Sequence, residues 1–216
     1  MEMQKRVDEV FSDPEKLAQL DKIMNERKIR FPKIGSNGKE VGYVEFTPNE
    51  IFAKCLKESD YNSSSILYHG TTKEAKDSIL KNGFDLKYFK RGESGKGVYL
   101  AVSEDGAAQY AAANGGEIIK VKLADGLKIG KLKDPDGIYC GARGLISEIK
   151  NDYYLRSDIA DNLGINILSD EPSKIVEEYI LKKANKMGFG GLELSTANAS
   201  CRYVVIPDPK NIKILS

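Results

Sequence analysis

A single histidine bounds the chemistry open to this chain. His69 is the one imidazole in 216 residues, so metal sites built on two or more histidines are excluded and any imidazole-dependent step falls to His69. It follows the short apolar run Ile66-Leu67-Tyr68 and precedes Gly70-Thr71-Thr72, where a helix is expected to begin. A strand end meeting a helix N-terminus leaves backbone N–H groups pointing outward, which suits a polar or anionic ligand. About thirty residues on, Gly95-Lys96-Gly97 stands beside Val98-Tyr99-Leu100-Ala101, and glycines there let backbone approach a ligand closely. Tyr110 follows Tyr99 by eleven residues. One phenol on a strand and another on the helix after it are placed to sandwich a flat ring. Taken singly, each of these is ordinary: a structural histidine, two amphipathic core tyrosines and loop glycines. The ordered combination is what points to a site.

These residues need strands and helices to hold them, and the sequence marks most of the boundaries. Ser12-Asp13-Pro14-Glu15 joins capping-box spacing to a proline at the first helical position, ahead of Leu17, Leu20, Ile23 and Met24 on one face. A strand is expected over Val41–Phe46, and Thr47 with Glu50 caps a second helix carrying Ile51, Phe52, Cys55 and Leu56. Thr71 with Glu74 reads as a third capping box, for a helix that Gly83 stops. Strands are expected over Ile66–Tyr68, Val98–Val102 and Ile118–Leu123, with a helix capped by Ser103 and ended by Gly115-Gly116. The stretch from Asp125 to Asp170 has little periodicity beyond short helices near Leu145–Ile149 and Ser157–Leu163. Pro172 then opens a helix that Gly188 closes, and three short strands follow at 192–194, 203–206 and 212–215. The pattern is α+β, with a helical region carrying one strand over residues 1–62 and a strand-rich domain over residues 63–216.

Composition agrees with a soluble domain. Lys and Arg number 33 and Asp and Glu 32, for a net charge of +1, which argues against a strongly basic nucleic-acid binder. With 41% hydrophobic and 30% charged residues, the disordered and disulfide-scaffold classes are excluded. Cys55, Cys140 and Cys201 are odd in number and far apart, so they signal neither zinc nor a disulfide frame and are expected to be reduced thiols. No secretion signal or apolar membrane span is visible, which makes a cytoplasmic setting the expectation. Lys87, Lys90 and Arg91 read as a solvated loop surface flanking the expected cleft.

His69-Gly70-Thr71, the helix ending in Ile79-Leu80-Lys81-Asn82-Gly83-Phe84, then Gly97-Val98-Tyr99 and Tyr110 resemble the catalytic core of the histidine–tyrosine class of ADP-ribosyltransferases. That class includes diphtheria toxin and the poly(ADP-ribose) polymerases, and Gly95-Lys96-Gly97-Val98-Tyr99 is especially like the latter. The resemblance spans about Ile66 to Val121 and resumes at Arg202 to Leu215. It implies a split, mixed β-sheet with short flanking helices and NAD as substrate, with no metal. His69 would hydrogen-bond a ribose hydroxyl, Gly70 would hold the nicotinamide carboxamide through its backbone, Tyr99 and Tyr110 would stack on the nicotinamide, and Thr71 would line the ribose pocket.

The resemblance fails at one position. In the family a glutamate directly precedes a Tyr-Ile-Val strand, and here Arg202 precedes Tyr203-Val204-Val205-Ile206. A permanent guanidinium beside a developing oxocarbenium ion would raise its energy. Three accounts remain. Glu193, on the preceding strand, reaches the site; or the protein is a mono-ADP-ribosyltransferase that relies on strain and on an acceptor carboxylate; or catalysis is lost and binding kept. Arg202 would instead contact a diphosphate or an acidic acceptor. Taken alone, Glu193 between Leu192 and Leu194 is most simply a solvent-facing strand residue. The expected function is transfer of one ADP-ribose from NAD to a macromolecular acceptor, protein or nucleic acid. The rivals are a catalytically impaired NAD- or ADP-ribose-binding module and an NAD-dependent RNA 2′-phosphotransferase.

Overall fold

A computed structural model of the chain describes residues 2–88, 95–113, 115–133, 144–195 and 202–215. Its elements in chain order are α1 (Glu2–Ser12), α2 (Pro14–Glu26), β1 (Ile29–Ile34), β2 (Glu40–Phe46), α3 (Pro48–Cys55), β3 (Leu56–Glu58), β4 (Leu67–Thr71), α4 (Lys73–Asn82), β5 (Val98–Ala101), α5 (Glu104–Ala113), β6 (Glu117–Leu123), β7 (Ile129–Leu132), α6 (Gly144–Asn151), α7 (Tyr153–Leu163), α8 (Glu171–Lys186), β8 (Gly191–Ser195), β9 (Arg202–Ile206) and β10 (Ile212–Ile214). The fold is α+β with a large mixed sheet and short helices, as the sequence implies, and is consistent with an ADP-ribosyltransferase-like fold. Two compact units divide it, Met1–Leu56 with Leu132–Ile180, and Lys57–Lys131 with Leu181–Ser216. Among the described residues, no helix is long and apolar enough to cross a membrane.

The first unit is mainly helical. Asp13 caps α2 by accepting from the backbone N–H of Glu15 and Lys16, at 2.9 and 3.3 Å. Thr47 and Glu50 close a reciprocal capping box at α3. The helix α1 was not expected, because it has no cap signal; Val7 and Val10 bury its apolar stripe. Pro32 hides β1 from a pattern search, and the strand tolerates it because its one described partner is β2, which leaves the other edge without a ladder to break. Cys55 is a buried thiol outside any disulfide, whereas Cys140 and Cys201 lie outside the described residues.

In the second unit the strands run in the order β10-β6-β4-β5-β9-β8-β7-β3. The pairs β10–β6, β6–β4, β4–β5, β5–β9 and β9–β8 are antiparallel and β8–β7 is parallel. One face carries the apolar core, with Leu67, Val98, Leu100, Ile119, Val121, Val204 and Ile206 against Ile79 of α4 and Phe84 beyond it. Helix α5 covers part of the other face, where Ala101, Ala107 and Tyr203 cluster with Tyr68 and Ile118.

The joint between β4 and β5 matters most for the site. β4 pairs with β6 over five positions, from Leu67↔Val121 to Thr71↔Glu117, yet with β5 through Tyr68↔Ala101 alone. The sheet therefore parts immediately after Tyr68, which is the split the family resemblance implies. Thr71 ends β4, and Thr72 rather than Thr71 caps α4, its hydroxyl accepting from the Ala75 N–H at 3.2 Å.

Glycine at position 70 lets α5 lie against β4. A Cβ there would stand 2.2 Å from the Ala107 carbonyl oxygen and 2.9 Å from the Ala111 nitrogen, both backbone atoms that cannot yield without moving the helix. Gly70→Ala is therefore expected to cost about 2–3 kcal/mol, read by chemical denaturation, because overpacking against backbone is relieved only by displacing an element. An unchanged unfolding midpoint would show that α5 does not hold this position.

Candidate functional site

His69 occupies the split itself. Its Nδ1 lies 3.0 Å from the Tyr99 carbonyl oxygen, so the side chain bridges to β5 just where the backbone ladder stops. A carbonyl only accepts, which makes Nδ1 the protonated nitrogen and Nε2 the acceptor in the neutral ring. Phe84 meets the imidazole edge-on, with centroids 5.2 Å apart at 87°. Burial pushes the His69 pKa below its ordinary 6.5, and the bond to the Tyr99 carbonyl offsets part of that. The ring is thus neutral at pH 7, with Nε2 as its acceptor nitrogen, the property needed to take a hydrogen bond from a hydroxyl.

The rings of Tyr99, Tyr110 and Tyr203 belong to the α5 side of the sheet, whereas His69 shares the parity of Leu67 and meets Phe84 of the apolar core. Tyr99 shares the parity of Ala101 along β5, and Ala101 packs with Ala107 of α5. The Tyr99 hydroxyl donates to the Gly95 carbonyl at 2.8 Å, which fixes the ring. Tyr110, on α5, is 56% exposed and meets the buried Tyr203 edge-on at 5.5 Å and 86°. The sequence expectation was that Tyr99 and Tyr110 face each other across a cleft. The structure places both on one face and adds Tyr203 behind Tyr110, a contact set by the Ala101↔Tyr203 register that no local pattern reveals.

Gly97 lies tight against β9. A Cβ on it would lie 2.7 Å from Val205 Cγ2 and 2.8 Å from the Ile206 carbonyl, so the close approach it allows is to β9. Thr71 sits opposite Glu117, and Glu117 is held by Lys76 at 2.8 Å. Lys87 pairs with Asp85 at 2.8 Å, and Lys90 and Arg91 lie outside the described residues.

Glu193 and Arg202 form a second group, on β8 and β9. The sequence makes Glu193 a solvent-facing strand residue; its side chain is instead completely buried, with Ser59 and Lys131 against its carboxylate. Ser59 Oγ donates to Oε2 at 2.6 Å, Lys131 Nζ lies 3.0 Å from Oε1 and Arg202 Nη1 lies 4.0 Å from the same oxygen. Arg202 starts β9 opposite Ser195, and its carbonyl accepts from the Val102 N–H at 3.1 Å. β8 is three strands from β4, about 14 Å at ~4.8 Å per strand. Among the described residues, no cluster of three or more His, Cys, Asp or Glu side chains is arranged to hold a metal ion.

No protein-family model matches the chain, and no curated protein sequence does. Among solved structures it is similar to a chain of the M. tuberculosis MbcT-MbcA toxin-antitoxin complex, with 13% identity and a TM-score of 0.35, over 78% of this chain and 88% of that one. That likeness is distant.

The neutral His69 gives a pH signature. The unfolded chain takes up a proton near pH 6.5 and the folded chain only below it, so this stabilisation is present above 6.5 and is lost as pH falls from there through the lower folded value. Between pH 7.5 and 5.5 the denaturation midpoint should drop more in the wild type than in His69→Asn, whose amide can keep the bond to Tyr99. Equal drops would mean that the imidazole is not buried neutral.

Proposed function

We propose that the protein is a mono-ADP-ribosyltransferase that moves one ADP-ribose from NAD to a macromolecular acceptor and releases nicotinamide. The observation that supports this most is the His69 imidazole held by the Tyr99 carbonyl at the split, with Nε2 as acceptor and with Gly70, Thr71, Tyr99 and Tyr110 around the same joint. In this reading Nε2 accepts a hydrogen bond from a ribose hydroxyl. The backbone of Gly70 takes the carboxamide, Tyr99 and Tyr110 stack on the nicotinamide, and Thr71 lines the ribose pocket.

Nicotinamide in NAD is already a cationic leaving group. The protein's task is then to hold the dinucleotide bent and oriented, so that binding energy is released on the way to an oxocarbenium-like transition state. A fixed ring acceptor and a braced aromatic platform do this without a proton transfer. Glu193 is closed off by Ser59 and Lys131, so its influence runs through Arg202 and it does not touch the substrate. With no carboxylate preceding Tyr203, chain elongation is not expected, and the acceptor supplies the nucleophile. Arg202 also favours a second reading, a binding module of the same fold that holds NAD without cleaving it.

Purified protein should bind NAD and, in a lysate containing its acceptor, release nicotinamide and label that acceptor with single ADP-ribose units visible by mass spectrometry. His69→Ala and Tyr99→Ala should each lower nicotinamide release at least a hundredfold. Full activity in both variants sinks the proposal. Binding without release, with hydrolysis gained in Arg202→Glu, selects the binding module.

A further inference from the structure

Three neighbouring strands of the second unit carry a row of charges. Glu193 is on β8; Lys131 is its register partner on β7; and Arg202 is on the far neighbour β9, opposite Ser195. The two cationic side chains flank the carboxylate from either side, and both point at the same oxygen, Oε1. The other oxygen, Oε2, is satisfied by the Ser59 hydroxyl, which in turn accepts from the Tyr61 N–H at 3.1 Å.

The charges do not balance. One buried carboxylate needs one cation, and Lys131 at 3.0 Å supplies it. Arg202 at 4.0 Å is a second positive charge on an already neutralised group, and its side chain is 47% exposed while Lys131 is 26% exposed and Glu193 not at all. Oε1 has no hydrogen bond of good geometry from either head. Among the described residues, Arg202 makes no other ion pair. The row is thus a pair of cations gathered on one buried carboxylate, half-exposed at Arg202 and a quarter exposed at Lys131, with one net positive charge. The two heads lie within about 7 Å of each other, the span across which two donors grip opposite oxygens of one tetrahedral oxyanion.

We infer that Arg202 and Lys131, held apart by the buried Glu193, form a binding site for a phosphate group. Phosphate fits better than a carboxylate, because it brings between one and two negative charges at neutral pH and more oxygens than one guanidinium fork can occupy. The inference does not depend on cleavage of NAD. Glu193 acts here as a positioning residue: it aims the two cations, and its own charge weakens the anion's attraction to them. This gives the effects of substitution opposite signs.

The test is calorimetric titration of the full chain with inorganic phosphate and, in parallel, with ADP, at ionic strength held constant with KCl. Saturable binding is expected, weakened at least fivefold in Arg202→Gln and in Lys131→Gln, and tightened at least threefold in Glu193→Gln. A merely structural charge row predicts instead that Glu193→Gln alters stability and leaves phosphate affinity untouched. ADP binding without phosphate binding, lost in Arg202→Gln, supports the site and assigns the phosphate to a nucleotide; binding of both shows that free phosphate suffices. Should Glu193→Gln not fold, the half-exposed Arg202→Gln decides. No saturable binding of either probe, or equal affinity in wild type and Arg202→Gln, overturns the inference.

Discussion

One side-chain hydrogen bond takes over where a backbone ladder stops. β4 and β5 share a single register pair, and beyond it His69 Nδ1 reaches the Tyr99 carbonyl. A sheet that opens between two strands leaves polar backbone groups to satisfy, and an imidazole donor meets one of them while keeping the opening. The same bond sets the tautomer and, with burial, keeps the ring neutral. Gly70 then lets α5 press directly on β4, and α5 carries Tyr110 against Tyr203 of β9.

Buried carboxylates recur as a structural device in both units. Glu193 on β8 is matched to Lys131 and Arg202, and Glu177 on α8 is matched to Lys150 at 2.5 Å and Lys174 at 2.9 Å. Burial pushes the Glu177 carboxyl above the ordinary range, and the two ammonium groups pull it back. Taking such a charge out of water costs several kcal/mol before its partners recover it, so losing one partner destabilises more than the pair itself contributes. The two clusters differ in exposure. Lys150 and Lys174 are largely covered, whereas Arg202 opens to solvent, which is why only the β8 cluster suggests a ligand.

Local chemistry made much of the fold legible. The Thr47–Glu50 capping box, the Ser103 cap of α5 and the positive-φ Gly83 ending α4 are written in four or five residues each and appear as read. Elements without such signals are not marked in the sequence. α1 begins without a cap, β1 contains Pro32, and β7 is four residues long with a central glycine. At β4 the sequence placed the helix cap one residue early, on Thr71, because two adjacent threonines offer the same hydroxyl. Thr72 takes the role since β4 extends through Thr71 to pair with Glu117.

The candidate site divides in the same way. That His69 is the sole imidazole, that it follows a strand and precedes a helix, and that Tyr99 and Tyr110 are carried on the next strand and helix are properties of the sequence, because each depends on neighbours within a few residues. Which face Tyr99 shares with α5, that Tyr203 braces Tyr110, and that Gly97 abuts β9 were decided by register between strands a hundred residues apart. The same holds for Glu193. Its alternation with two leucines suggests solvent, but only the tertiary structure brings Ser59, Lys131 and Arg202 to its side.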